Sequence, residues 1–115
     1  MNGDRLSVVA TRDGADVCRV QVTGEIDFGS AGLLRASLQE AVDAGTARIV
    51  VDLAGVTFCD SSGLGVLVGT RSQLAARQGA LELTGAEGQV ARLLQITGLE
   101  RLFAPGARMR EARAS

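Results

Sequence analysis

The chain has no histidine, no lysine, no tryptophan and no tyrosine, and only one proline among its 115 residues. Without histidine, a His-ligated metal centre and a His general base are both excluded. Without lysine as well, no side-chain amine is present to activate a nucleophile. Aromatic residues make up 3% of the chain and hydrophobic residues 46%, so the core must be aliphatic, built from Val, Leu, Ile and Ala. Charge of one sign is also lacking: 12 basic and 13 acidic residues leave a net charge of -1. That balance gives no electrostatic reason to expect nucleic acid or an anionic membrane as a partner. The two cysteines, Cys18 and Cys59, are far apart and form no CxxC pair. The N-terminal stretch is short and polar rather than an apolar signal region, and the longest near-apolar run, Gly63 to Gly69, is far too short to span a bilayer. The expectation is one cytoplasmic domain over residues 1–115 with reduced thiols, without a cofactor or bound metal, and with a weakly structured tail from about residue 105. A chain of this length buries roughly two-thirds of its unfolded surface and needs no covalent staple.

What is present is a regular alternation of patterns. Leu6, Val8 and Ala10 alternate with Ser7, Val9 and Thr11, and Cys18, Val20 and Val22 alternate with Arg19, Gln21 and Thr23. With the turn at Asp13-Gly14 between them, the two runs predict an antiparallel hairpin. Gly24-Glu25-Ile26-Asp27 ends the second strand, and Ser30 is a candidate N-cap for a helix carrying Leu34, Leu38, Ala41 and Val42 on one face. Gly45 stands where a helix ends in a left-handed residue. Ile49-Val50-Val51 is continuously apolar, as in a central strand covered on both faces, and Gly55 breaks it before Val56 and Phe58. A helix follows from Ser62 to Gln78 and is closed by Gly79. Leu81 and Leu83 mark a further strand, and a short helix from Glu87 to Thr97 ends at Gly98. The order β-β-α-β-α-β-α predicts an α/β fold whose mixed sheet begins as a hairpin and continues with parallel strands joined by helical crossovers.

The densest stretch is Phe58-Cys59-Asp60-Ser61-Ser62-Gly63-Leu64-Gly65, at a strand-to-helix corner. Ligands and partners of such sheets meet the strand ends where helices begin. One serine there can cap the helix, stabilising it by roughly 1 kcal/mol. A cap does not explain Asp60, a second serine, or glycines at 63, 65 and 69, each of which costs about 1 kcal/mol inside a helix; they suggest a surface that something approaches closely. A serine nucleophile lacks a histidine or lysine base and the G-x-S-x-G elbow. A dinucleotide site would use Gly63 and Gly65 with Glu82 as the ribose acid, but the third glycine, Gly69, comes one residue late. A carboxylate or metal cluster would need Glu25, Asp27 and Asp60 to meet. A phosphoacceptor hydroxyl needs no internal base, because a kinase supplies one, and its phosphate would lie over N–H groups at the positive end of the helix dipole.

Gly24-Glu25-Ile26-Asp27, then an aliphatic strand, then Asp60-Ser61-Ser62-Gly63-Leu64-Gly65, then Ile96-Thr97-Gly98-Leu99, together resemble the STAS-domain anti-sigma factor antagonists (anti-anti-sigma factors). The resemblance runs from about Leu6 to Phe103. It implies a STAS fold with a sheet of four to five strands. It also implies a non-enzymatic protein that binds an anti-sigma factor serine kinase of histidine-kinase-like ATPase fold and so releases a sigma factor. The phosphorylated position of the family's motif matches Ser61, with Ser62 as the neighbouring alternative, and a PP2C-type serine phosphatase reverses the modification. Glu25, Asp27, Asp60, Ser61, Ser62, Gly63, Leu64 and Gly65 are implied as the partner-binding residues. Cys59 replaces a bulkier apolar residue common in the family, where a thiol is open to oxidation if exposed; Phe28 and Gly29 depart from many members just after Asp27, with consequences for partner choice. The competing implication is a non-signalling STAS accessory subunit of a lipid- or anion-transport assembly, a class that often lacks the Ser-Ser pair.

Overall fold

The computed structural model describes residues 6–103. The strands are β1 (Leu6–Asp13), β2 (Val17–Ile26), β3 (Arg48–Cys59) and β4 (Ala80–Thr84). The helices are α1 (Ala31–Asp43), α2 (Ser61–Ala75) and α3 (Gly88–Thr97), and a 3-10 turn covers Leu99–Phe103. Element order and kind are those that the periodicity predicts. The four strands form one sheet in the order β1-β2-β3-β4, with β1 antiparallel to β2 and the other neighbours parallel. The tail from about residue 105 lies outside the described residues.

One face of the sheet is apolar because alternate residues of β2 and β3 point the same way. Cys18, Val20, Val22, Ile49, Val51 and Leu53 are buried there and share one core with Leu34 and Leu38 of α1, Leu67 and Leu74 of α2, and Val90 and Leu94 of α3. Gly45 and Gly98 take the left-handed backbone expected after α1 and α3. After α2 the left-handed residue is Gln78, and Gly79 lies against the Ala47 carbonyl, where a Cβ would come within 2.5 Å. The opposite sheet face is mixed, with exposed Val9 set among polar residues. Arg19, Gln21, Asp52 and Thr84 line a shallow groove of about 340 Å³ there, together with Val50. Val50 is buried, as a central-strand residue should be, yet it stands outside the main core. On the same face Glu82 is held by Arg48 through a pair of bonds of 3.0 and 3.1 Å. Glu82, considered from the sequence as a ribose acid, is therefore an ion-paired sheet residue, and its carboxylate raises the Arg48 pKa.

β3 departs from its expected end. Gly55 does not break the strand; it marks a change of register. Between Gln21↔Asp52 and Thr23↔Gly55 β2 advances two residues and β3 three, and between Gly24↔Val56 and Glu25↔Phe58 β3 again gains one. Each extra residue is a bulge that reverses the inward-outward alternation. The buried positions therefore run Leu53, Val56, Cys59, at intervals of three. Phe58, which a simple period of two would put with Val56, is 40% exposed, and Cys59 takes the inward place. The two bulges thus decide which residues reach the corner facing inward.

Candidate functional site

The C-terminal ends of β2 and β3 lie side by side. Ile26 pairs with Cys59, and the Asp60 N–H donates to the Ile26 carbonyl at 3.1 Å. The Gly24-to-Asp27 segment and the Asp60-to-Gly65 segment, distant in sequence, therefore form one edge of the molecule, at the strand ends where α1 and α2 begin.

Asp60 is extended (φ -112°, ψ -171°) and is the N-cap of α2. Its Oδ1 accepts from the Ser62 N–H at 2.8 Å, and its carbonyl accepts from the Gly63 and Leu64 N–H groups at 3.1 and 3.2 Å. The expectation that a serine of the pair caps the helix is thus corrected: a carboxylate does so, and it is the better partner for the positive helix end. Three N–H groups of the first turn, those of Ser62, Gly63 and Leu64, already bond to Asp60, so an incoming anion meets a carboxylate and not an open cradle. Ser61 is the first residue of α2 and is exposed; Ser62 is half-buried. Among the described residues no hydrogen bond engages the Ser61 hydroxyl.

The glycines divide into two kinds. Gly63 is buried against the sheet: a Cβ there would lie 2.6 Å from Cγ2 of Ile26 and 2.7 Å from Sγ of Cys59. Its role is close packing of α2 on the ends of β2 and β3, not approach by a partner. Leu64 beside it is also buried in the core. Gly65 and Gly69 face open space, and only they fit the expectation of an accessible surface.

Across the corner, Asp27 organises the turn into α1. Its Oδ1 accepts from the Gly29 N–H at 3.0 Å and the Ser30 N–H at 3.1 Å, and its carbonyl accepts from the Ala31 N–H at 2.8 Å. Ser30 occupies the N-cap position but makes no side-chain cap bond to the helix; its hydroxyl accepts from the Asp27 N–H at 3.0 Å and donates to the Glu25 carbonyl at 2.8 Å. Glu25 is exposed and Asp27 half-buried. Phe28, at the tip of this turn, is 88% exposed, which for an aromatic ring next to the corner is notable. Glu25, Asp27 and Asp60 do not converge as ligands: among the described residues no three acidic, histidine or cysteine side chains group to hold a metal ion.

Cys59 underlies the corner at 1% exposure. Burial, and secondarily the charge of Asp60, push its thiol up to about 11. At neutral pH it is a protonated, enclosed thiol whose Sγ donates to the Asp60 carbonyl at 3.4 Å, so it packs rather than reacts. Its backbone is held from α3. The Gln89 side chain accepts from the Cys59 N–H at 2.9 Å through Oε1 and donates to the Cys59 carbonyl at 2.8 Å through Nε2. Nothing in the sequence marks Gln89, a single glutamine near a helix start.

Comparison with known proteins agrees with this fold. The STAS domain family matches residues 8–114, nearly the whole chain. The anti-sigma-B factor antagonist of Bacillus subtilis (strain 168) is 39% identical over 82 residues, covering 71% of this chain and 74% of that protein. The crystal structure of an anti-sigma factor antagonist from Mycobacterium paratuberculosis superposes with a TM-score of 0.78 at 26% identity, covering 85% of this chain and 82% of that one. The anti-sigma factor antagonist SpoIIAA in its unphosphorylated form shares the fold, with a TM-score of 0.76 at 23% identity over 84% of each chain. The chain belongs to the STAS-domain family of anti-sigma factor antagonists. Among the described residues no helix is long and apolar enough to cross a membrane.

Proposed function

We propose that the protein is an anti-sigma factor antagonist that works by switching partners. Unphosphorylated, it binds in the cytoplasm to an anti-sigma factor that is itself a serine kinase of histidine-kinase-like ATPase fold, and the sigma factor is released. The kinase then phosphorylates it. The Ser61 Oγ attacks the γ-phosphorus of ATP, an Oγ–P bond forms, the bond to the bridging oxygen of ADP breaks, and the hydroxyl proton passes to a base of the kinase. The modified protein lets go, and a PP2C-type phosphatase hydrolyses the phosphoester. The protein itself catalyses nothing and uses no cofactor, and neither nucleic acid nor a membrane is its target.

The observation that carries this reading is the division of labour at the corner. Asp60 caps α2, so the exposed Ser61 hydroxyl is left without a structural task. The phosphate would add about -1.5 to -2 charges beside the Asp60 carboxylate. A partner surface seated on Glu25, Asp27, Asp60, Ser62 and Gly65 would have to desolvate that charge, while the fold, touched only at an exposed position, survives it. Gly63 and Leu64 serve the same face from beneath, by packing.

Two measurements test it. Tagged wild-type protein and Ser61→Asp are used to capture partners from native lysate, and the retained proteins are identified by mass. Recovery of an ATP-binding anti-sigma factor by wild type alone supports the reading; recovery of membrane-transport subunits replaces it with the accessory-subunit role. Radiolabelling with [γ-³²P]ATP then assigns the acceptor. Ser61→Ala abolishes incorporation, whereas loss of label only in Ser62→Ala moves the site by one residue.

A further inference from the structure

β4 stops at Thr84, which pairs with Asp52, so the last part of β3 has no strand on that edge. The backbone of Cys59 faces this open edge, because on the other side it is the next residue, Asp60, that donates to Ile26 of β2. Gln89 fills the gap. Its carboxamide makes with Cys59 both bonds that a neighbouring strand would make, accepting at 2.9 Å and donating at 2.8 Å. Gln89 is adjacent in α3 to Val90, which is buried in the core, so its position is set by the packing of the helix. The corner is thereby pinned on two sides, at Asp60 by β2 and at Cys59 by α3, immediately before Ser61.

We infer that Gln89 is a positioning residue for Ser61: through the two bonds to Cys59 it sets the direction in which the chain leaves β3 and so the place from which the hydroxyl meets a kinase. This rests on the reading of Ser61 as phosphoacceptor. Phosphoryl transfer depends on alignment of the attacking oxygen, and a displacement of about 1 Å can cost up to about a hundredfold in rate. Gln89 touches neither phosphate nor kinase in this account; its effect is on the turnover of bound protein and not on its capture. Being exposed, it can be replaced without opening the core.

The test compares wild type, Gln89→Met and Gln89→Glu as substrates of the anti-sigma factor kinase recovered by wild-type protein, with [γ-³²P]ATP. Gln89→Met keeps the length of the side chain and removes both bonds. Its kcat falls about tenfold with KM within about twofold of wild type. Gln89→Glu gives a second readout that needs no kinase. A neutral carboxyl can repeat both bonds, whereas a carboxylate turns an acceptor toward the Cys59 carbonyl. In ¹⁵N NMR spectra the Cys59 amide shift of Gln89→Glu therefore returns toward wild type as pH falls through the glutamate range, about 4.3 when unperturbed, and that of Gln89→Met does not. Equal kcat for wild type and Gln89→Met, or a Cys59 amide in Gln89→Glu that ignores pH, overturns the role of Gln89 alone. Failure of wild type itself to be labelled on Ser61 overturns the reading beneath it.

Discussion

Replacing Gly63 with alanine tests the packing on which the corner rests. In a free helix this change stabilises by about 1 kcal/mol, because glycine has more backbone freedom to lose. Here the new methyl would lie 2.6 Å from Cγ2 of Ile26 and 2.7 Å from Sγ of Cys59, well inside van der Waals contact. Neither neighbour is the mobile end of a long side chain; both are buried short branches at the ends of strands. Relieving the overlap must lift the first turn of α2 or turn a core side chain, at about 1–3 kcal/mol for overpacking. Set against the helix gain of about 1 kcal/mol, the net expectation is a loss of about 0–2 kcal/mol. Gly65→Ala is the matched control, since its Cβ meets nothing within 4 Å, and it gains up to about 1 kcal/mol. Urea denaturation followed by circular dichroism reads both as a change in midpoint at constant m. Adding Cys59→Ala removes one of the two close contacts, so the double variant with Gly63→Ala should be non-additive, recovering at least about 0.5 kcal/mol. A Gly63→Ala protein as stable as Gly65→Ala, or strict additivity with Cys59→Ala, would refute the argument that Gly63 is needed for helix–sheet approach.

Asp60→Ala removes the N-cap bond to Ser62 and lowers stability by about 1 kcal/mol, whereas Asp60→Asn, which keeps the acceptor, loses less; the same urea titrations separate them. The pH dependence of stability isolates Cys59. Its folded pKa is raised to about 11 from an ordinary 9.0, so the native state holds a proton that the unfolded chain gives up. Its contribution is complete below pH 9 and is lost as pH rises through about 11, a decline of roughly 2–3 kcal/mol. With no Lys, Tyr or His in the chain, thiols are the only side chains that titrate in this window, so Cys59→Ala should flatten the decline; an unchanged slope would count against the buried-thiol account.

Much of the architecture is legible because it depends on local periods. The alternation in Val17 to Thr23 and the helical spacing of Leu34, Leu38, Ala41 and Val42 each report one exposed and one buried face, and the structure buries those residues as read. The left-handed positions at Gly45 and Gly98 are legible for the same reason, since they follow from residue type and place. β3 was only half legible. Gly55 carries the signature of a chain break, and a bulge has the same one; whether the strand resumes depends on whether β2 continues alongside to pair with it. The cap of α2 is illegible for a similar reason. Asp60 and Ser61 are both good N-cap residues one position apart, and the choice is made where β3 releases its last bond, at Asp60 N–H to Ile26.

At the corner, the sequence alone determined which catalytic groups are missing. In a chain with no histidine or lysine the Ser-Ser pair has no imidazole or side-chain amine to activate it, and that holds for any fold the chain adopts. Tertiary structure decided the division of tasks. It made Asp60 the cap, turned Gly63 and Leu64 inward, left Ser61 exposed, and brought Gln89 onto the backbone of Cys59. None of these can be read from local pattern, because each is a contact between segments brought together by strand register and helix docking. A side chain that bonds the backbone of a distant strand leaves no periodicity, only a geometry.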